Sequence, residues 1–303
     1  ITFLYSYFLY IFFKKDYKMI IGYEKNGIYG LVVIEYLLKK IYGPIDIHWV
    51  MQPHCDFIVQ SNNGRRWNKK KKKYIYWSGE SYEPPKNSNA TSSINISTTT
   101  LFEEMIYTPY VLYSPYLYKD RAYKGVKDRK HFLAYCSSHK VSEREDFFAK
   151  CVDIIGSDTC HSFGSCDGNR PSSKKPKVKG AWDNNALIET YKDYKYVVAF
   201  ENGVVDGYVT EKILNAFYSG AIPVYHGSAN INELFNPKAF INVSDFKSYE
   251  ECIDYMHNMK EEELETMATA NIYQNGDVIQ LLNDSRPNAI RDHYVEKIKN
   301  FLK

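Results

Sequence analysis

Apolar positions in this chain come in short runs that switch between two periods. YKMIIGY (17–23), IDIHWV (45–50) and CDFIVQS (55–61) are apolar runs of strand length. Between the first two lies GIYGLVVIEYLLKKIYG, whose apolar residues recur at helical spacing. A polar break, SNNGRRWNKKKKK, separates these from an aromatic strand, KYIYWSGES, which stops at Ser78-Gly79-Glu80. The loop EPPKNSNATSSIN follows, and then YTPYVLYSPYLY, a tyrosine-rich stretch with strand character and two prolines. The second half alternates more clearly. HFLAYCSS, KYVVAFE, AIPVYHG and AFINV read as strands; REDFFAKCVDII, NNALIETYKDY, TEKILNAFYSG and SYEECIDYMHNM read as helices, with a shorter helix at NINELF. Ser142 and Glu145 have the spacing of a capping box, and Asp183 stands where the next helix starts.

Strands alternating with helices of about ten residues predict parallel, doubly wound sheets. Two such halves predict a two-lobed α/β chain with a cleft between the lobes. The junction falls in the charged segment KDRAYKGVKDRK, giving domains 1–125 and 126–303.

Length and composition agree with this picture. At 303 residues and 44% hydrophobic, the chain has enough apolar material for two cores, which excludes disorder as its main theme. Basic and acidic residues number 39 and 36, so the net charge is only +3, and the excess is local to the lysine runs at 69–73 and in SSKKPKVK. That distribution argues against a nucleic-acid binder. The six cysteines show neither C-x-x-C pairs nor zinc spacing, and Cys160 and Cys166 are compatible with a local bridge or with free thiols.

The first thirteen residues, ITFLYSYFLYIFF, are too short to span a bilayer as they stand. They read either as part of a membrane signal-anchor or as a buried first strand or helix. Sequons at Asn89, Asn95, Asn242 and Asn283 matter only in a secretory lumen.

Three places carry candidate chemistry. In the helix that begins at Thr210, Glu211 suits the positive helix end, whereas Lys212 beside it is disfavoured by roughly 0.3 to 1 kcal/mol. An anion bound at the helix N-terminus would offset that cost; so would solvent, or a nearby acid such as Asp206. The preceding loop, Glu201 to Tyr208, follows the apolar strand at its carboxyl end, where open α/β sheets bind ligands. Arg144, just past another strand, can grip phosphate oxygens with two parallel hydrogen bonds. Glu80, beside a glycine at a strand end, has the chemistry of a general base.

The segment AFENGVVDGYVTEKILNAFYSGAIPVYHGS resembles the signature block of the α1,3-fucosyltransferases, glycosyltransferase family 10. Its Phe-Glu-Asn, Tyr-Val-Thr-Glu-Lys and Pro-Val-x-x-Gly runs stand in the family's order and at its spacing. Weaker resemblance extends over HFLAYCSSHKVSEREDFF, SFGSCDGN and KYIYWSGES, roughly residues 55 to 260. It implies a GT-B fold, two Rossmann-like domains with the acceptor bound by the first and GDP-fucose by the second.

Carried over residue by residue, the resemblance makes Glu80 the catalytic base. Arg144 and Lys212 become the binders of the donor pyrophosphate, and Asn202, Tyr208 and Glu211 become donor contacts. It implies an inverting transfer of fucose to a glycan hydroxyl, O3 of GlcNAc or Glc, in the Golgi membrane if the source is eukaryotic and otherwise in the cytoplasm or at a membrane. The chain has no Asp-x-Asp, so no metal cofactor is implied. Another GDP-sugar as donor, or a non-catalytic sugar- or nucleotide-binding protein of the same fold, are the alternatives. The segment after Glu80 fits the family loosely, and the Cys-x-x-Cys seen near the C-terminus of the family's animal members is missing.

Overall fold

The computed structural model describes residues 18–23, 46–50, 57–61, 73–79, 93–98, 100, 106–107, 125–170 and 185–273. The chain divides into two compact units, one holding the described elements up to residue 107 and the other those from 125 onward. The expected helix at 27–43, Glu80, residues 1–13, Asn89, Asn283, the run SSKKPKVK and all of 108–118 lie outside the described residues.

Among the described residues, the first unit contains six strands: β1 (Lys18–Tyr23), β2 (Asp46–Val50), β3 (Phe57–Ser61), β4 (Lys73–Ser78), β5 (Ser93–Ser97) and β6 (Ile106–Tyr107). They form one parallel sheet in the order β2-β1-β3-β4-β5-β6. Ile21 of β1 stands beside Trp49 on one side and Phe57 on the other, so the register joins the three apolar runs read from the sequence. The sequence signals hid β5. Its Ile94 and Ile96 do alternate with Ser93, Asn95 and Ser97, but the Pro, Asn and Ser preceding it are loop residues, and the segment reads as part of that loop.

The second unit is a parallel sheet in the order β11-β10-β9-β7-β8. Its strands are β7 (His131–Tyr135), β8 (Cys160–Ser162), β9 (Tyr194–Phe200), β10 (Ile222–His226) and β11 (Ile241–Asn242). Among the described residues, five α-helices accompany them: α1 (Ser142–Ile155), α2 (Asn185–Tyr191), α3 (Glu211–Tyr218), α4 (Tyr249–Asn258) and α5 (Glu261–Thr269). Successive strand residues face opposite sides, and this sorts the core into two layers. Leu133, Tyr196, Val198 and Val224 pack with Phe147 and Phe148 of α1, Ile253 and Met256 of α4, and Leu264 of α5. Ala134 and Val197 face the other way, onto Leu187 and Tyr191 of α2 and Ala216 of α3. A sheet covered by helices on both faces is why these strands read as nearly continuous apolar runs.

Three local expectations need correction or extension. The capping box on α1 does not form: the N-cap is Val141, and Ser142 Oγ bonds Glu143 instead. Glu145 turns inward, accepting from the Tyr135 hydroxyl at 2.5 Å and from the Gly168 backbone N–H at 2.9 Å. A half-buried carboxylate with two such donors has no reason to cap an exposed helix end. The region around NINELF forms a 3-10 turn, Ala229–Glu233, rather than a regular helix. Strand β8 and helix α5 were not legible, β8 because three residues are too few to show a period.

Candidate active site

Strands β7 and β9 flank the point where the chain changes direction across the second sheet. From β7 it runs outward to β8, then returns to the other side of β7 as β9. Ligands of open parallel sheets settle beyond the strand carboxyl ends at such a point. Segment 136–140 after β7 and segment 201–210 after β9 occupy those ends. With α1, α2 and α3 they enclose a cavity of about 200 Å³, lined on one side by Ser137, Arg144, Asn202, Glu211 and Lys212.

Arg144 enters this cavity from the first turn of α1 and is only 4% exposed. Its Nε donates to Phe200 O at the end of β9 at 3.1 Å, Nη1 to Ser137 Oγ at 3.1 Å, and Nη2 to Asn202 Oδ1 at 2.5 Å. The guanidinium is thereby fixed between the ends of β7 and β9. A guanidinium has five N–H groups, so these three bonds leave one unused donor on each terminal nitrogen. Two charged donors held rigidly at a cavity wall suit a phosphate or carboxylate.

Lys212 lies in the first turn of α3, next to the unpaired backbone N–H groups of the helix start. Its acid partners are Glu201, at 3.2 Å, and more loosely Glu211, at 3.9 Å, rather than Asp206. Glu201 has no exposed side-chain surface. One of its oxygens, Oε1, accepts the Thr210 N–H at 2.7 Å; the other, Oε2, accepts the Thr210 hydroxyl at 2.8 Å and Lys212 Nζ at 3.2 Å. Lys212 Nζ also donates to Thr210 Oγ1 at 2.9 Å, which leaves one of its three donors over. Thr210 occupies the N-cap position as expected, but its hydroxyl serves Glu201 rather than the helix. Burial opposes the charge on Lys212, yet the carboxylates of Glu201 and then Glu211 outweigh it and hold the ammonium's pKa above the ordinary lysine value. The lysine is charged and aimed, with its attraction for an anion partly countered from behind by Glu201.

Of the residues singled out from the sequence, Arg144, Asn202, Glu211 and Lys212 line this cavity. Tyr208 does not: it is 3% exposed, and its backbone N–H closes a turn onto Val205 O at 3.0 Å. Glu80 lies outside the described residues. Residues with no individual role assigned from the sequence also take part. Glu201, flagged only as the start of the loop after β9, positions Lys212, Ser137 holds Arg144, and Leu187, Tyr191, Val198 and Asn215 also line the cavity. The best available signal for Glu201 was an acid at an apolar strand end, nine and eleven residues before a threonine and a lysine that it binds.

The chain resembles known proteins in both sequence and fold. Residues 126–268 match the profile described as glycosyltransferase family 10 (fucosyltransferase) C-term. An alpha-(1,3)-fucosyltransferase of Helicobacter pylori is 50% identical over 68 residues, which is 22% of this chain and 14% of that protein. The human GDP-fucose protein O-fucosyltransferase 3 is 31% identical over 119 residues, 39% of this chain and 24% of that protein. The chain thus matches well under half the length of these relatives. The fold is shared more widely: a crystal structure of an α1,3-fucosyltransferase with GDP superposes with a TM-score of 0.65 at 21% identity, covering 93% of this chain and 92% of that one. The fold is accordingly GT-B, and residues 126–268 resemble the C-terminal domain of glycosyltransferase family 10 (fucosyltransferase).

Proposed function

We propose that the protein is an inverting fucosyltransferase that moves L-fucose from GDP-fucose to a hydroxyl of a glycan acceptor, O3 of GlcNAc or Glc. The observation that carries this reading is the convergence of Arg144 and Lys212, each with unused N–H donors, on one cavity at the switch point of the sheet. The diphosphate of the donor lies between them. The N-terminal N–H groups of α3 add to the same field.

In the reaction the acceptor oxygen attacks the anomeric carbon of fucose from the face opposite the diphosphate. The bond from that carbon to the diphosphate oxygen breaks, GDP departs with the electron pair, and Glu80 takes the acceptor's proton. Arg144 and Lys212 stabilise charge where it develops, on the leaving oxygen, in a site already organised to receive it. Asn202 orients Arg144 and faces the phosphates, and Glu211 accepts from donor hydroxyls. Tyr208 enters this reading through the family resemblance alone. Residues 126–303 hold the donor and 1–125 the acceptor. Residues 1–13 belong to a membrane anchor, which in a eukaryote places the catalytic domain in the Golgi lumen.

A protein hydroxyl is the second reading of the acceptor, favoured by the resemblance to the human protein O-fucosyltransferase. The deciding experiment is transfer of labelled fucose from GDP-fucose to a panel of GlcNAc- and Glc-containing oligosaccharides and to folded protein acceptors, with GDP-mannose as the competing donor. Transfer to oligosaccharides from GDP-fucose alone supports the proposal. Equal use of GDP-mannose, or no transfer alongside intact GDP binding, sinks it in favour of another donor or a non-catalytic binding role.

A further inference from the structure

Asn215 lies on α3 three residues after Lys212 and four after Glu211. These spacings put side chains on one helix face, and all three line the cavity. The residue is 5% exposed, and its Oδ1 is buried with no hydrogen-bond partner among the described residues. Buried amides are nearly always paired, because an unpaired one keeps the full cost of leaving water. An apolar residue of similar size would fill this position without that cost. The lining near α3 also includes Leu187 and Tyr191 of α2, an apolar and aromatic surface unlike Arg144 and Lys212. One cavity that combines cationic side chains, an apolar and aromatic surface and an unsatisfied amide oxygen matches the two halves of a nucleotide: phosphates, and a flat base with N–H groups along its edge.

We infer that Asn215 is a specificity-determining residue, hydrogen-bonding the edge of the donor's base and so setting which nucleoside diphosphate the cavity accepts. This rests on the reading of the cavity as a nucleoside-diphosphate site. A half-turn of the amide presents either its acceptor or its donors to the cavity. As an acceptor it suits guanine, whose ring N–H and exocyclic amine lie side by side, and it disfavours adenine, which has a bare ring nitrogen at the corresponding place. Without a base, the acceptor stays unpaired.

The test is calorimetric titration of the full chain with GDP, ADP and 2′-deoxy-GDP, in the wild type, Asn215→Leu and Asn215→Asp, with a thermal melt of each. The leucine variant is expected to melt no lower than the wild type, to bind GDP about tenfold more weakly, and to lose most of the preference for GDP over ADP. The aspartate variant keeps an acceptor and is expected to keep the preference. The GDP to 2′-deoxy-GDP ratio stays constant throughout. A GDP to ADP ratio unchanged by Asn215→Leu overturns the inference while leaving the donor reading intact. So does collapse of the deoxy ratio instead, which would assign the amide to the ribose. Failure of the wild type to bind any of the three nucleotides overturns the donor reading and this inference with it.

Discussion

Lys212 Nζ stands 3.2 Å from Oε2 of Glu201, a carboxylate with no exposed surface, and the two share Thr210 as a common partner. The pair explains how an ammonium tolerates the positive end of a helix before any ligand arrives. Removing the lysine leaves Glu201 buried with Thr210 alone. Lys212→Met is expected to cost about 1 to 3 kcal/mol of stability and to abolish most GDP affinity. Glu201→Gln is expected to weaken GDP binding without touching the ligand, because Lys212 loses its anchor. Urea unfolding of both single variants and the double should give a coupling of roughly 0.5 to 3 kcal/mol; simple additivity would remove the pair from the account. The sign with pH follows from the raised pKa of Lys212. The pair's contribution is complete below the ordinary lysine value and is lost only as pH rises through the raised one.

Gly227 sits where a side chain would strike this anchor. A Cβ there would lie 2.5 Å from Tyr225 Oη and 2.8 Å from Glu201 Cγ. Gly227→Ala should therefore displace Glu201 or its neighbour at about 1 to 3 kcal/mol, and lower GDP affinity along with the melting temperature. Unaltered affinity in a variant that melts lower would mean that Glu201 does not govern Lys212.

His226, at the end of β10, packs its ring 5.3 Å from that of Phe200. Burial pushes its pKa below the ordinary histidine value, and the Glu143 carboxylate only partly opposes this. The unfolded chain thus takes up the proton first as pH falls, so the fold loses stability from about pH 6.5 down to the lowered pKa and regains it as pH rises. Melting temperatures between pH 5 and 8 should fall less steeply on the acid side in His226→Gln. Identical profiles for variant and wild type would exclude His226 as the source.

The assignment of Glu80 as base predicts a specific split. Glu80→Gln should lower turnover by about 10² to 10⁴ and leave GDP affinity near that of the wild type. Transfer at the normal rate would refute it. The same assay in EDTA should keep its activity, and loss restored by added Mg²⁺ or Mn²⁺ would bring a metal into the reaction.

The alternation of apolar runs determined most of the sheet strands and the doubly wound class, because strand and helix periods are local properties of the backbone and survive in one dimension. The Phe-Glu-Asn and Tyr-Val-Thr-Glu-Lys runs likewise located the cavity-lining loop and Lys212 without any coordinates. Which groups those residues bind was decided elsewhere. Arg144 is fixed by Phe200 O, 56 residues away in the chain. Glu145 leaves its helix end for Tyr135 and Gly168, and Lys212 takes Glu201 over the closer Asp206. A buried polar group takes whichever partner the packed strands bring within about 3 Å, and the unpaired alternatives cost more than the helix cap or surface pair given up. That competition is settled only when β7, β9 and α3 are assembled, so sequence spacing names the candidates and tertiary packing selects among them.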